Sequence, residues 1–550
     1  MKPGKELLFC ALGGSGEIGM NVNLYGCEGK WLMVDLGMTF ADPWYPGVEL
    51  VFADLEFIEE RSDDLLGIVL THAHEDHIGA VPYFAQELGV PIYATPFTAR
   101  LVHEKLVEAG IDRDVELHVI ENNGRISLGA FDIRYVPLAH SIAEGNALVI
   151  DTPYGRVFHT GDWKLDDEPR VGTPATEEEL TAIGDEGILA LVCDSTNVFN
   201  PKASGSEGAV RAGLLETIDS LKGRRVVVTT FASNVARLQT LAEVAEATGR
   251  RLCVAGRSLD RIISVAQASG YLQDFPETVG MDDAMDLPRG EVLILATGGQ
   301  GEARAALARI AGDQHPVKLE AGDAVVFSSR QIPGNELAIG RVQNALVAKG
   351  VRIVTDRQSM IHVSGHPGRP ELMKLYEWLR PQMLVPVHGE IRHMDEQARL
   401  GRSEGIARTI LQKNGDLVRL APNGPHKITE VRAGRLVLDG DIITPADGEA
   451  IVARRKLAQL GLVTVALAVN LEGKQVSPID VATIGIPLDE DMEAFIAEAQ
   501  VDASEAVRGL KGDRRRDRLA VAEAVRLAVR RCAYRWIGKK PVVQVMLRAA

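Results

Sequence analysis

His72, His74, Asp76 and His77 stand close together in the run Thr71-His72-Ala73-His74-Glu75-Asp76-His77. Imidazole and carboxylate are the ligands of zinc and of similar divalent metals. His72 and His74 alternate, so an extended loop can turn both toward one ion. Asp76 and His77 lie just beyond and can serve a second ion beside the first. A polar loop with solvated histidines is the plainer alternative. Four ligand-type side chains this close together, straight after a buried strand, weigh against it. The strand is the apolar run Leu65-Leu66-Gly67-Ile68-Val69-Leu70, and Ile78 to Phe84 reads as the start of a helix. The chemistry therefore sits on a strand–loop–helix corner.

Further chemistry-bearing residues follow at the ends of strand-like runs. His140 closes Tyr135-Val136-Pro137-Leu138-Ala139, and Asp162 follows Arg156-Val157-Phe158-His159-Thr160-Gly161. Asp194 closes Leu189-Ala190-Leu191-Val192-Cys193, and His388 closes Met383-Leu384-Val385-Pro386-Val387. Read alone, His140 and His159 suit hydrogen-bonded structural roles, and Asp194 suits a cap on local backbone as well as it suits catalysis. Gly13 to Gly19 contains a formal GxGxxG. A dinucleotide site needs a helix next, but the alternating strand pattern of Asn21-Val22-Asn23-Leu24-Tyr25 follows, so a tight hairpin loop is the better reading.

The pattern His72-x-His74-x-Asp76-His77 behind an apolar strand resembles the signature of the metallo-β-lactamase superfamily. By itself it implies a fold and a metal centre, not a substrate. The chain then runs on with a second α/β pattern, in which Arg225–Phe231, Arg251–Ala255, Val292–Thr297 and Ala324–Ser329 read as strands separated by helices. It returns to His362-Val363-Ser364-Gly365-His366 and to His388-Gly389-Glu390. These motifs, with Asp194 before the insertion, resemble those of the β-CASP subgroup, and their full order resembles the bacterial ribonuclease J family. The fold implied is α/β: a metallo-β-lactamase αββα sandwich, an inserted β-CASP parallel α/β domain and a small C-terminal α/β domain. The expected limits are 1–205 and 357–447 for the two parts of the sandwich, 206–356 for the insertion, 448–461 for a linker and 462–550 for the last domain.

The resemblance implies a division of labour. His72, His74 and His140 would hold one metal, Asp76, His77 and His388 the other, and Asp162 both. His159 stays structural, and Asp35 would support the metal loop from behind. His366 would be the general acid and Asp194 its orienting partner, with Asp76 the third residue of the catalytic centre. Ser233 and Asn234, with the run His362, Val363, Ser364, Gly365 and His366, would hold the 5′-terminal phosphate of RNA. The implied function is a two-metal ribonuclease that works 5′ to 3′ on 5′-monophosphate RNA, with some endonuclease activity, in RNA maturation and mRNA decay. Zinc is the expected metal, with manganese or magnesium as alternatives. RNA is the expected partner, and a homodimer or homotetramer the expected assembly. The competing readings are a β-CASP DNA nuclease, a small-molecule metallohydrolase such as a lactonase or thioesterase, and a non-catalytic RNA-binding scaffold.

Composition narrows the setting. The net charge of −16 argues against a generally adhesive nucleic-acid binder. The charge is uneven, however, with 13 Lys and Arg against 5 Asp and Glu over residues 501–550. The segment Arg514-Arg515-Arg516-Asp517-Arg518 reads as a solvated charged face, although it could touch RNA. Leu519, Val521, Ala522, Val525 and Val529 must pack on their own sheet or on a partner subunit. No apolar run is long enough to span a bilayer, and no cleavage pattern precedes the strand-like Leu7-Leu8-Phe9-Cys10. The five cysteines form no CxxC pair. Together these features predict a cytoplasmic protein without a membrane segment.

Overall fold

The computed structural model describes residues 4–331 and 334–549. The outer limits expected at residues 1 and 550 therefore lie outside the described residues. Two compact units result: one holds residues up to Thr39 with Phe52–Gly434, the other Phe40–Val51 with the residues from Arg435 onward.

In the first unit, two sheets face each other. One has eight strands, in the order His426–Glu430, Asp416–Ala421, Leu7–Gly13, Val22–Cys27, Lys30–Val34, Leu65–Val69, Ile92–Ala94 and Leu117–Val119. The other has seven, in the order Arg125–Leu128, Phe131–Pro137, Asn146–Thr152, Gly155–His159, Ala190–Asp194, Met383–Val387 and Arg408–Thr409. Their inner faces share one core, in which Phe9, Tyr25 and Val34 meet Tyr135, Leu148, Val192 and Val385. The outer face of the second sheet packs Phe158, Leu191 and Leu384 against Leu180, Leu372 and Leu400 of flanking helices. This is the expected αββα sandwich.

The pairing of the second sheet sets the site. Gly155–His159, Ala190–Asp194 and Met383–Val387 run parallel, with His159 opposite Val192 and Asp194 opposite Val387. Parallel neighbours end at the same edge. Asp162, Asp194 and His388, far apart in sequence, therefore leave the sheet side by side. Thr71–His77 leaves the first sheet after Leu65–Val69. The helix beyond is divided, with one turn at Glu75–Ile78 and a second helix at Val81–Leu88. Pro82 lies in the first turn of that second helix, where its missing N–H is no loss.

The insertion forms a five-stranded parallel sheet in the order Arg251–Ala255, Val292–Ala296, Val226–Thr229, Ala324–Phe327 and Arg352–Val354. Its central strands are apolar and fully buried, as helices on both faces require. The chain winds away from Val226–Thr229 in one direction and later in the other. The crevice between that strand and Ala324–Phe327 is therefore a topological switch point, where parallel sheets place their functional loops. Thr230–Asn234 occupies it.

In the second unit, Leu462–Val469 pairs antiparallel with Asp480–Ile484 and parallel with Val542–Ala549. Its buried residues alternate with half-buried ones. The buried set, Val463, Val465 and Leu467, packs on Phe495, Val521, Val525 and Val529 of helices Met492–Gly509 and Arg518–Ile537. The apolar helix face is thus covered by its own sheet, except for Leu519, which is 81% exposed. The stretch expected as a linker carries the helix Glu449–Leu460. The strand Arg435–Asp439, inside the limits expected for the second part of the sandwich, forms a hairpin with Ile442–Pro445 and belongs to the second unit. Among the described residues, no helix is long and apolar enough to cross a membrane.

Candidate active site

Five histidines and two aspartates converge where the parallel strands end. The ligand-capable atoms of His72, His74, His140 and Asp162 lie within 4.8 Å of one another, as do those of Asp76, His77, Asp162 and His388. Asp162 belongs to both groups. Its Oδ2 is 3.3 Å from His77 Nε2, 3.4 Å from His388 Nε2, and 3.8 Å from both His72 Nε2 and His140 Nε2. Its Oδ1 is buried and has no hydrogen-bond partner among the described residues. A buried carboxylate oxygen without a donor is costly, and a cation satisfies it.

The histidines are held from behind. His77 Nδ1 donates to Asp35 Oδ2 at 2.7 Å, and His140 Nδ1 to the Gly365 carbonyl at 2.6 Å. His388 Nδ1 lies 3.0 Å from Asn21 Oδ1, and His72 Nδ1 lies 3.0 Å from Thr71 Oγ1, which itself donates to Asp35. Such partners fix the tautomer, so the opposite nitrogen keeps its lone pair for a metal. One supporting residue and one ligand sit in the left-handed region, Asp35 at φ 64° and His388 at φ 50°. Side chains rarely adopt it, and it is tolerated where the surroundings demand it.

Charge points the same way. Burial keeps His72 and His140 well below the ordinary imidazole value, and His74 at about 4, so all three are neutral ligands. Burial also works against protonating His77 and His388, yet the Asp162 carboxylate foremost, with Asp76 close by, raises both. The negative field thus draws protons onto two buried imidazoles. Divalent cations supply that positive charge and leave the imidazoles neutral. The residues present therefore fit two divalent ions.

His366 stands at the rim with 23% of its side chain exposed. Its Nδ1 is 2.8 Å from Asp194 Oδ2, and its ring centre lies 5.2 Å from that of His140. Burial opposes protonation, but Asp194 and then Asp162 prevail and raise it to about 9. Asp194 is itself fixed by the Thr196 N–H, which donates to Oδ1 at 2.8 Å.

The residues expected around the 5′ phosphate are only partly grouped. Ser233 Oγ is 3.1 Å from His74 Nε2. Ser364 Oγ accepts from the His366 N–H at 3.1 Å, and the Gly365 carbonyl accepts from His140. Asn234 is otherwise engaged: its Oδ1 caps helix Val235–Ala247 by accepting from Arg237 N–H, and its Nδ2 faces Glu207. It shapes the loop, with its amide nitrogen turned toward Glu207. Val363 is buried, which leaves its backbone for contact. His362 is held at about 3, by burial first and by Arg237 next, and its Nδ1 has no hydrogen-bond partner among the described residues. Arg237 ties the two loops together, bonding Glu207 and the Ile361 carbonyl. His159 lies apart, against Tyr25 Oη at 2.8 Å.

Asn21, Thr71, Thr196 and Arg237 were not legible in the sequence. No spacing marks them: Asn21 and Arg237 act on residues far along the chain, and the bonds of Thr71 and Thr196 to their near neighbours are common local contacts. Two glycines are fixed by close approach. A Cβ on Gly37 would lie 1.8 Å from the Asp76 carbonyl, and one on Gly365 would lie 2.9 Å from His140 Cε1. Gly365→Ala should therefore displace the His140 ring. The expected result is roughly 10- to 100-fold weaker metal binding, the scale seen when a ligand's support is lost, with little change in melting temperature. Metal titration beside thermal unfolding checks it, and unchanged metal affinity would refute it.

Fold and site together define a metallo-β-lactamase hydrolase with an inserted β-CASP domain. Comparison with known proteins narrows this further. The family model for the beta-lactamase superfamily domain matches residues 31–183, and that for the ribonuclease J beta-CASP domain matches 223–346. The models for the Zn-dependent metallo-hydrolase RNA specificity domain and the ribonuclease J C-terminal domain match 350–411 and 449–549. The chain is 42% identical to "Ribonuclease J" of Sinorhizobium meliloti, over 100% of this chain and 98% of that protein. It is 36% identical to "Ribonuclease J" of Mycolicibacterium smegmatis over 96% and 94%, and 33% identical to "Ribonuclease J 1" of Streptococcus pyogenes over 100% and 98%. A crystal structure of a protein of unknown function from Enterococcus faecalis matches at TM-score 0.54 and 17% identity, over 75% of this chain and 100% of that one, and speaks for the fold alone. The chain belongs to the ribonuclease J family of metal-dependent ribonucleases.

Proposed function

We propose that this protein hydrolyses RNA with two divalent metals, as a 5′-to-3′ exonuclease that prefers 5′-monophosphate ends and also cuts internally. The observation that carries the reading is the convergence of both ligand groups with His366 and with loops of the inserted domain. A lactonase or thioesterase needs neither the insertion nor a second acid beside the metal ligands. An intact ligand set argues against a non-catalytic scaffold.

His72, His74 and His140 would hold one ion, Asp76, His77 and His388 the other, with Asp162 shared. Five imidazoles suit zinc, and elemental analysis of the purified protein decides between zinc and manganese. When bound, such ions lower the pKa of water toward neutrality and offset charge developing on a phosphodiester. The protein's own part is the proton. His366 gives Nδ1–H to Asp194, which leaves Nε2–H for the departing 3′-oxygen. Asp194 keeps the ring oriented and charged, and Thr196 keeps Asp194 in place.

The 5′ preference rests on the neutral donors around the metal centre: Ser233, Ser364, the backbone at Val363 and Gly365, and the neutral His362. No Lys or Arg stands within Phe231–Asn234 or His362–His366. Hydroxyls and backbone N–H groups suit a compact monophosphate, whereas a triphosphate brings charge they would offset poorly. A time course on one RNA bearing monophosphate, triphosphate or hydroxyl 5′ ends should show mononucleotide release fastest from the monophosphate. Equal exonucleolytic rates on the mono- and triphosphate forms would remove the pocket and leave the metal site standing. We also propose a homodimer or homotetramer, readable by light scattering, and a reducing, cytoplasmic setting. The latter is supported by five cysteines that are all buried and unpaired.

A further inference from the structure

Each histidine of the metal cluster has its outward nitrogen held by a named group. For His72, His77, His140 and His388 these groups are Thr71, Asp35, Gly365 and Asn21, all on the sandwich side of the chain. His74 differs in two ways. Its inward atom is Nδ1, which lies 3.2 Å from His72 Nε2 and 3.0 Å from His140 Nε2. Its outward atom, Nε2, meets Ser233 Oγ at 3.1 Å, and Ser233 belongs to the inserted domain.

The loop bearing Ser233 is built to hold position. It leaves the switch point after Val226–Thr229 and runs directly into helix Val235–Ala247, which Asn234 caps. Arg237, fully buried in the first turn of that helix, donates to both Glu207 oxygens and to the carbonyls of Ser328 and Ile361. A buried, multiply bonded guanidinium gives the loop little freedom.

We infer that Ser233 is a positioning residue for the metal centre: its hydroxyl oxygen accepts from His74 Nε2–H and holds the ring so that Nδ1 faces the ion. Seating of the inserted domain then helps complete the ligand set, and moving that domain off the metal loop breaks the bond. The inference deepens the proposed function by giving Ser233 a task other than phosphate contact. It concerns metal binding without RNA, so it stands or falls separately from the substrate assignment.

The test compares the full-length protein with Ser233→Ala and Ser233→Thr. Zinc affinity is measured by competition with a chromophoric chelator, without RNA. One binding step should weaken about 10- to 100-fold in Ser233→Ala, the scale for loss of a ligand's supporting hydrogen bond. Ser233→Thr keeps a hydroxyl and should bind zinc close to the parent. Unchanged zinc affinity in Ser233→Ala would overturn the inference, even if the 5′-monophosphate preference fell. Equal weakening in both variants would also overturn it, because the hydroxyl would then not be the agent.

Discussion

His77→Ala should remove metal from the Asp76–His77–His388 group and lower turnover by roughly 10³-fold or more, while the chain stays folded. The magnitude follows from the several kcal/mol that a catalytic ion contributes to transition-state stabilisation. His77 Nε2 lies 3.3 Å from Asp162 Oδ2, and its Nδ1 is held by Asp35. Alanine deletes the imidazole that meets both carboxylates. Asp35 keeps the Thr71 N–H at 2.8 Å and the Thr71 hydroxyl, so its buried charge is not stranded and the sheet edge should survive. The two facing cores lie elsewhere, between the sheets and beneath the helices. Elemental analysis should find one ion fewer per chain, circular dichroism should be unchanged, and labelled RNA should remain nearly intact. Full activity with full metal content would overturn the assignment of the motif.

How much of this was readable beforehand depends on the range over which each feature is determined. The metal loop is local. An apolar strand, a short extended loop and a helix entrance place His72, His74, Asp76 and His77 with no knowledge of the rest of the fold. His140, Asp162 and His388 could be read only as strand-end residues, because their meeting depends on parallel pairing between strands far apart in sequence. Alternation at Arg435–Asp439 announces a strand but not its partner, and that strand pairs within the second unit. Asn234 shows the same limit at one residue. Its type suits a phosphate contact and a helix cap equally, and only the position of Arg237 decides for the cap. The divided helix after the motif was in principle readable, since Pro82 fits a first turn better than a helix interior.

His366→Ala should retain metal and still bind RNA, but cleave about 10²- to 10⁴-fold more slowly, the usual scale for losing a positioned acid. The alternative is that His366 is a ligand, since Asp162, Asp194, His366 and His388 also bring ligand-capable atoms within 4.8 Å of one another. Metal content separates the two, because loss of ions in step with activity would make His366 a ligand and sink the acid assignment. Asp194→Asn tests the same proton from the other side. Burial disfavours the charged ring, and Asp194 is the largest of the carboxylates that nevertheless raise it to about 9. Cations on Asp162 and Asp76 would offset the help those two give, while Asp194 lies outside the proposed ligand set and keeps its share. An acid must be protonated to act, so the rate should fall as pH rises through the folded pKa of His366. Asparagine removes the charge but keeps an oxygen for the Nδ1–H. The descending limb of kcat should therefore move to lower pH, with metal content unchanged and a smaller loss below it than in His366→Ala. A profile that keeps its descending limb in Asp194→Asn would show that another group supplies the proton, because His366 is the imidazole hydrogen-bonded to this carboxylate.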